Sequence, residues 1–408
     1  MKQQELIPHL FRTEYRKIVS VLCKRFGFDQ IETAEDITAD TFLAASQTWP
    51  YNGIPQNPVA WLYFVAKNKA KNHLQRHIVF ESKVSDELKR SSDESYETEI
   101  DLSPKNINDS QLQMMFAICQ PSIPPEAQIG LSLRILCGFG IEEIADAFLS
   151  NKETINKRLF RAKEKLREEN AKIEFPGPAE IDERLATVLT TLYLLFNEGY
   201  YSSSQDTIIR KDLCDEAMRL CTMLVENPLT CKPEVNALLA LMCFQASRFD
   251  ARIDQNGELV LYDDQDTNLW DSELISKGAY FLNCATTGDT LSKYHIQAAI
   301  AYWGTQKADT TDKWESVLQL YNQLLQIEYS PVAALNRTYA LSKTVGKEAA
   351  IIEAEKLKLT NNHFYYALLG ELYTSINNDT ARQHFQDALA LSRTQTDKLA
   401  IQKKIGSL

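Results

Sequence analysis

The stretch IEEIADAFLSNKETINKRLFRAKEK, residues 141–165, predicts two helices separated by a tight break. The first helix carries an apolar face at the i, i+3, i+4 and i+7 spacing of an amphipathic helix. Its members are Ile141, Ile144, Ala145 and Phe148. Ser150 and Asn151 supply the break, and their side chains can cap the helix that follows. The pattern is typical of a helix-turn-helix motif.

The second helix of this stretch divides into an apolar side and a cationic side. The apolar side consists of Ile155, Leu159 and Ala162. The other side consists of Lys152, Asn156, Lys157, Arg161 and Lys165. A recognition helix needs this division, because one face meets a phosphate-flanked major groove and the other packs on the partner helix. An ordinary basic amphipathic helix with a solvated charged face is the alternative interpretation.

A second informative segment, NPVAWLYFVAKNKAKNHLQRH, spans residues 57–77. Pro58 suits a helix first turn, and bulky aromatics follow it. One predicted helix thus carries aromatic, amide and cationic side chains along connected faces, namely Trp61, Phe64, Asn68, Lys71, Asn72, Gln75 and Arg76. Aromatic rings stack on unpaired bases, amides bond base edges and cations hold phosphates, which suits a strand leaving its duplex. The alternative is that the two aromatics belong to the core.

Just upstream, IETAEDITADTFLAASQTWP, residues 31–50, predicts a helix with three carboxylates on one stripe. They are Glu32, Asp36 and Asp40, at i, i+4 and i+8. Ile31, Ala34, Ile37, Thr41 and Ala45 fill the opposite side. Like charges at this spacing are mildly destabilising, so a cationic partner is one explanation and a solvated face is another.

In this order the three segments resemble the extracytoplasmic-function sigma factors of bacterial RNA polymerase. The resemblance implies that Glu32, Asp36 and Asp40 bind core polymerase, with Asp36 and Asp40 meeting the clamp helices of its largest subunit. It also implies that the protein meets the polymerase flap. It implies that the second segment melts and reads the minus-10 element and that the last helix reads the minus-35 element. The DNA-binding residues it predicts are Trp61, Phe64, Asn68, Lys71, Asn72, Arg76, Lys152, Thr154, Asn156, Lys157, Phe160, Arg161 and Lys165.

The chain has 408 residues, so two small sigma domains leave a long C-terminal part to explain. We predict an all-α protein with sigma domain 2 at 1–80 and a flexible acidic linker at 81–109, which is Ser-rich and poor in apolar residues. Sigma domain 4, with the helix-turn-helix, follows at 110–173. The segment EFPGPAE, residues 174–180, ends the recognition helix and opens an extension at 174–408.

The extension is helical in pattern and resembles tetratricopeptide (TPR) repeats near its end. Gly370, Tyr373, Ala381, Phe385 and Ala388 are the clearest positions, and corresponding alanines recur at about the 34-residue period of such repeats. A helix at 181–196 should dock on the recognition-helix domain and end at residues 197–199. Only 253–271 looks strand-like. That stretch, with 192–200 and 294–303, resembles the extension of the sigma subgroup that carries a fused TPR-like domain.

Net charge, hydropathy and cysteine content limit the class of protein and its location. The net charge is −11, yet residues 151–167 hold seven Lys and Arg against two Asp and Glu, which focuses positive charge where DNA would lie. No apolar run is long enough to cross a bilayer, so we expect a cytoplasmic protein. The eight cysteines form no CxxC pair and are interpreted as buried thiols. No catalytic motif, metal site or cofactor site is expected.

The sequence therefore predicts a sigma factor, not an enzyme, whose partners are core RNA polymerase, promoter DNA and a protein bound by the TPR-like domain. That domain would regulate the two sigma domains. The alternatives are a helix-turn-helix regulator with a TPR-like sensor domain and a TPR scaffold without DNA function.

Overall fold

The computed structural model describes residues 3–84, 100–148, 150–200, 210–254, 260, 262–392 and 395–408. Over these residues the chain forms eighteen α-helices and no β-strand. The prediction of an all-α fold is therefore confirmed. The chain divides into two compact units, Met1–Leu194 and Leu195–Leu408.

The first unit begins with three long helices, followed after residues 85–99 by a group of shorter ones. Its helices are α1 (Gln3–Phe26), α2 (Ile31–Asn52), α3 (Pro58–Val84), α4 (Pro104–Ile118), α5 (Pro125–Leu131), α6 (Ile141–Ala147), α7 (Lys152–Glu168) and the first part of α8 (Ile181–Tyr200). A π-helical segment, Ser132–Leu136, continues directly from α5.

Helix α1 is the scaffold of this unit, because it packs against α2, α3, α4 and the π-helical segment. Phe11 and Tyr15 of α1 form an aromatic cluster with Phe42 of α2, and the rings of Phe11 and Phe42 meet edge to face at 5.1 Å. Tyr63 of α3 donates a 2.5 Å hydrogen bond to a carboxylate oxygen of Glu14. Burial, together with this bond, raises the pKa of the Tyr63 phenol, so the ring stays a donor. These contacts fix α2 and α3 relative to each other.

The local signals at α2 and α3 act as predicted. Helix α3 begins at Pro58, and the side chain of Asn57 accepts a 3.0 Å hydrogen bond from the backbone N–H of Ala60. The apolar side predicted for α2 is buried; its members are Ile31, Ala34, Ile37, Thr41 and Ala45. Thr41 meets its hydrogen-bonding need locally, because its hydroxyl donates to the carbonyl of Ile37 at 2.8 Å.

Two predicted boundaries differ from the structure. The linker predicted at 81–109 is helical at both ends, since α3 continues to Val84 and α4 begins at Pro104, where the side chain of Ser103 caps it. Residues 85–99 lie outside the described part of the chain. The predicted end of α8 at 197–199 is wrong, because the helix continues to Tyr200.

Gly199 explains why the residues expected to stop α8 lie inside it. A Cβ at this position would lie 2.7 Å from the carbonyl oxygen of Arg210 and 2.8 Å from the sulfur of Cys214. Glycine therefore serves close approach of the next helix rather than a turn. The backbone N–H of Arg210 donates to the carbonyl of Gly199 at 2.9 Å, which joins the two segments.

The second unit contains the last residues of α8 and ten further helices. They are α9 (Lys211–Glu226), α10 (Pro233–Ala246), α11 (Ser272–Ala285), α12 (Lys293–Trp303), α13 (Thr311–Ile327), α14 (Pro331–Thr344), α15 (Lys347–Leu357), α16 (His363–Tyr373), α17 (Asn378–Leu391) and α18 (Gln395–Gly406). Helix α10 is buried on nearly all sides and packs against α9, α11 and α12. From α12 onward, each helix packs against the next along the chain.

The stretch expected to be strand-like, 253–271, forms no strand over its described residues, although Ile253 makes a single β-bridge and the N–H of Val260 donates to the carbonyl of Arg252 at 2.8 Å. The chain makes two 3₁₀ turns there, Tyr262–Asp264 and Thr267–Leu269. The ammonium of Lys307 donates to the carbonyl of Tyr262 at 2.9 Å and lies 6.0 Å from the centre of the Trp270 ring. These contacts hold Tyr262 and Trp270 against the connection between α12 and α13. Residues 255–259 and 261 lie outside the described part.

The cysteines are buried thiols in six cases, which are Cys23, Cys119, Cys137, Cys214, Cys221 and Cys243. Burial raises the pKa of the Cys119 thiol to about 11, so this sulfur stays protonated near neutral pH. The prediction is wrong for Cys231, which is exposed shortly before α10 begins, and Cys284 is half-buried. No group of metal-ligating side chains occurs among the residues that the structure describes. Within the same residues, no helix combines the length and the apolarity that a bilayer crossing requires.

Helices α16 and α17 pack so closely at Gly370 that no side chain fits there. A Cβ on Gly370 would lie 2.7 Å from ring atoms of Phe385, which is 2 % exposed. Ala381 and Ala388 are also fully buried along the same helix. Small residues at these positions let the two helices approach, and the Phe385 ring fills the space that remains.

We expect Gly370→Ala to lower the free energy of unfolding by about 1–3 kcal/mol, because the added methyl forces the Phe385 ring to move. Urea unfolding followed by circular dichroism measures this change. Gly406→Ala is the matched control, since no atom lies within 4 Å of a Cβ there. Equal stability of the two variants would contradict the close approach at Gly370.

Candidate nucleic-acid and polymerase interfaces

Helices α6 and α7 form the predicted pair, since α6 ends at Ala147 and α7 begins at Lys152. The side chain of Asn151 accepts a 2.8 Å hydrogen bond from the backbone N–H of Thr154, which confirms the predicted cap. Ile155, Leu159 and Ala162 are buried, and α7 packs with them toward α5 and α6. The inner side of α7 is thus held to its partner helices as a helix-turn-helix motif requires.

The outer face of α7 is exposed at every position predicted to bind DNA. Those residues are Lys152, Thr154, Asn156, Lys157, Phe160, Arg161 and Lys165. The three lysines on this face pair locally with carboxylates, as Lys152–Glu142, Lys157–Glu153 and Lys165–Glu169. Arg161 makes no ion pair within the described residues, and the Phe160 ring is 60 % exposed beside it. A cation and an aromatic ring therefore stand free on the helix surface.

Helix α3 presents a second exposed face. Phe64 is 65 % exposed, and the amides and cations predicted to accompany it are exposed along the same helix. They are Asn68, Lys71, Asn72 and Arg76. Trp61 differs, because it is half-buried and meets the buried Trp49 edge to face at 5.4 Å. The accessible aromatic ring on α3 is therefore that of Phe64, because the Trp61 ring packs in part against Trp49.

Helix α2 presents the predicted acidic stripe, since Glu32, Asp36 and Asp40 are all exposed. The carboxylate of Asp40 lies 3.4 Å from the ammonium of Lys69 on α3. Asp36 has no ion pair within the described residues. The stripe thus stays open to a partner at its centre and is partly neutralised at its C-terminal end.

The N-terminal end of the stripe contacts α7, and apart from Glu32 the side chains involved were not singled out from the sequence. The carboxylate of Glu35 accepts hydrogen bonds from Arg134 Nε at 2.8 Å and from Lys163 Nζ at 2.9 Å. Glu32 pairs with Arg167 and lies 3.5 Å from Lys163. We refer to these five residues as the α2–α7 ion-pair cluster.

No local pattern reveals this cluster. Glu35 and Lys163 lie 128 positions apart, and pairing two distant helices requires the tertiary fold. The available signal was the spacing: Glu32 and Glu35 share a face of α2, and Lys163 and Arg167 share a face of α7. These spacings predict an acidic edge on α2 and a basic edge on α7, but they do not predict that the two edges are in contact.

A cavity of about 310 Å³ lies beside the cluster, between α2 and α7. Glu35, Arg134 and Lys163 line one part of it, and Asn156 and Phe160 from the outer face of α7 line another. The contact between the two helices is therefore polar and incompletely filled at this point.

Similarity to known proteins agrees with this arrangement. Residues 10–77, which span most of α1, all of α2 and most of α3, match the family described as Sigma-70 region 2. Residues 184–286, from α8 to the end of α11, match a family of unknown function, DUF6596. No solved structure matches the chain.

A relative covers nearly the whole molecule. The chain is 34 % identical over 387 residues to an uncharacterized protein of Rhizobium meliloti (strain 1021), covering 93 % of this chain and 91 % of that protein. The acidic stripe of α2 and the exposed aromatic and basic face of α3 both lie inside the sigma region. The chain belongs to the same family as the rhizobial protein and is a sigma-70 family sigma factor, acting in transcription initiation with core RNA polymerase and promoter DNA.

Proposed function

We propose that this protein is an extracytoplasmic-function sigma factor in which three helices divide the work of promoter recognition. Helix α2 binds core polymerase, α3 opens and reads the minus-10 element, and α7 reads the minus-35 element. The observation that carries the proposal is the exposed Phe64 ring amid amides and cations on α3, within the region that matches sigma region 2.

The proposed role of α3 follows from its surface chemistry. An exposed ring offers a stacking surface to a base of any identity, and such stacking is worth about 1–3 kcal/mol per base. Asn68 and Asn72, one turn apart, offer donors and acceptors to base edges once the bases leave the duplex. Lys71 and Arg76 hold the phosphates of the same strand. This combination suits single-stranded DNA better than an intact duplex.

The proposed role of α7 rests on Arg161 and its neighbours. Arg161 makes no ion pair with any residue that the structure describes, and an exposed guanidinium can bond a guanine edge with two hydrogen bonds. Lys152, Lys157 and Lys165, already paired with carboxylates, suit phosphate contacts that set the position of the helix. Asn156 and Phe160 offer an amide and an apolar contact to neighbouring base edges.

The proposed role of α2 is to meet basic side chains on the polymerase clamp helices. Repulsion among three exposed carboxylates along one face mildly destabilises the isolated helix. A cationic partner relieves this repulsion, so its binding is favoured. Asp36, at the centre of the stripe, is the residue most available for this contact.

We propose a TPR-like architecture and a regulatory role for the second unit. Consecutive helix pairs, with Gly370, Ala381, Phe385 and Ala388 closely packed between α16 and α17, support the architecture. Such a domain would bind a further protein. The proposal includes no enzymatic activity and no cofactor, and it locates the protein in the cytoplasm with the polymerase.

A run-off transcription assay with purified core polymerase tests the proposal against a helix-turn-helix regulator with a TPR-like sensor. A sigma factor supplies promoter-specific initiation to core enzyme that lacks any other sigma. A conventional regulator does not. The region 2 match favours the sigma factor, and failure to initiate at any promoter selected from genomic DNA would overturn it.

We expect Arg161→Ala to weaken binding to the upstream promoter element by about 1–3 kcal/mol, because it removes a base contact. Core polymerase binding should not change. Fluorescence anisotropy with promoter and scrambled duplexes measures the loss, which should be confined to the promoter. Lys105→Ala, at an exposed position on α4, is the matched control. An equal loss of affinity for both duplexes would indicate that Arg161 contacts phosphates and no base.

We expect Phe64→Ala combined with Asn72→Ala to slow strand opening about tenfold or more, since stacking and base capture operate only on unpaired bases. Potassium permanganate footprinting on a duplex promoter measures opening. A promoter with a pre-formed bubble should restore most of the activity. Tyr51→Ala removes an aromatic ring that is 88 % exposed and should have no effect. A defect that persists on the bubble would point to misfolding instead.

We expect a chain that ends at Tyr200 to bind core polymerase and to initiate at a rate about threefold or more different from the full chain, because a covalently attached domain acts at high effective concentration. This end point retains α8, in which Arg184 donates to the carbonyl of Phe116 and Thr191 donates to Gln128. Those bonds join α8 to α4 and α5. Unchanged initiation by a folded, truncated chain would contradict regulation by the extension.

A further inference from the structure

Two cysteines of the second unit are accessible to solvent at neighbouring helix ends. Cys231 is exposed two residues before α10 begins at Pro233, and Cys284 is half-buried in the last turn of α11. The other six cysteines are buried, and burial raises the pKa of five of their thiols, which keeps these sulfurs protonated and unreactive. An oxidant in solution therefore meets the sulfurs of Cys231 and Cys284 first.

Helices α10 and α11 run in opposite directions, which brings the two cysteines to the same end of the helix pair. A Cβ on Gly278, in the middle of α11, would lie 2.7 Å from the ring of Phe244, near the end of α10. A Cβ on Gly288, just after α11, would lie 3.5 Å from the ring of Pro233, the first residue of α10. The end of α11 thus lies beside the start of α10, although the two cysteines are far apart in the chain.

The phenol of Tyr280 connects the two thiols. Tyr280 lies one turn before Cys284 on the same face of α11, and it is 64 % exposed. Its hydroxyl forms a hydrogen bond with the sulfur of Cys284, and Cys231 lies close enough to act on it electrostatically. The hydrogen bond to Cys284 and the charges of the two sulfurs raise the pKa of the Tyr280 phenol. One hydroxyl group is therefore within interaction range of both sulfurs.

The position of Cys231 is fixed by buried polar side chains on either side of it. The amide of Asn236, 5 % exposed, donates to the sulfur of Cys231 at 3.7 Å and to the carbonyl of Lys232 at 3.0 Å. The buried hydroxyl of Thr230 donates to the carbonyl of Leu224 at 2.7 Å. The exposed sulfur is thus held at the start of α10, next to the end of α11.

We propose that Cys231 and Cys284 form a reversible oxidation site that reacts with hydroperoxides such as hydrogen peroxide. The thiolate of Cys231, the more exposed of the two, attacks one peroxide oxygen. The O–O bond breaks, and the products are a sulfenic acid on Cys231 and one water. The sulfur of Cys284 then attacks the sulfenic sulfur, the S–O bond breaks, and a second water leaves as the disulfide forms. Two thiols supply the two electrons and the two protons that convert one peroxide into two waters.

The disulfide joins the start of α10 to the end of α11 within the region that matches DUF6596. In a reducing compartment such a bond is transient and typical of redox sensing, because thiol reductants restore both cysteines. The extension therefore responds to peroxide through its own helices. The chemistry of the pair does not depend on the roles proposed for α2, α3 and α7.

Peroxide treatment of the full chain, followed by alkylation in denaturant and peptide mapping, tests the site. We expect two of the eight alkylatable thiols to be lost and a peptide pair that joins Cys231 to Cys284. Because buried thiols are inert, this pair should exceed any other cysteine pair about tenfold or more, and dithiothreitol should recover both thiols. Oxidation of Cys231 alone, a main product that joins two chains, or a main product that involves a buried cysteine would each overturn the proposal.

A variant that lacks the second thiol separates the two steps of the reaction. In Cys284→Ser the sulfenic acid on Cys231 has no thiol partner, so its labelling by dimedone after peroxide treatment should rise about fivefold or more over the unmodified chain. Cys243→Ala removes a buried thiol from α10 and is the matched control, which should leave the labelling unchanged. Equal labelling of Cys231 in folded Cys284→Ser and in the unmodified chain would show that Cys284 does not react with it. If circular dichroism shows that a variant is unfolded, the disulfide mapping of the unmodified chain decides.

Discussion

The burial of α1 is the constraint on which the first unit depends. Tyr15, Ile18, Val19 and Leu22 are each at most 2 % exposed, so neighbouring elements must cover this helix on several sides. Helices α2, α3 and α4 and the π-helical segment meet that requirement. The positions of the acidic stripe and of the exposed face of α3 follow, because both belong to helices whose inner sides are fixed against α1.

Charge complementarity then determines which side chains pair with each other outside the core. The sigma region carries an acidic edge on α2, and α7 carries cations on two sides, one toward solvent and one toward that edge. Lys163 and Arg167 lie on the side toward α2, whereas Arg161 is exposed on the outer side and has no ion pair in the described part of the chain. One helix thus offers one surface to the carboxylates of α2 and another to DNA phosphates. The cations that pair with α2 are therefore not the cations that face solvent.

Local signals were sufficient for most of the fold. The cap at Asn151, the start at Pro58 and the buried side of α2 depend on residues within a turn of one another, so the sequence predicts them directly. Gly199 and the stretch around Tyr262 misled the prediction, because a distant backbone or side chain decides their conformation. The exposed residues of α3 and α7 were predictable from periodicity. Glu35 was not, since its partners lie far away in the chain.

The local ion pairs on the outer face of α7 bear on how its DNA contacts would respond to salt. Lys152, Lys157 and Lys165 each hold a carboxylate of the same chain, and these carboxylates act as resident counterions. Phosphate binding must exchange one anion for another rather than simply release condensed cations, so fewer net charges are neutralised than the number of lysines suggests. Affinity contributed by this helix should therefore vary less steeply with ionic strength, which places more of the discrimination on Arg161 and the neutral side chains beside it.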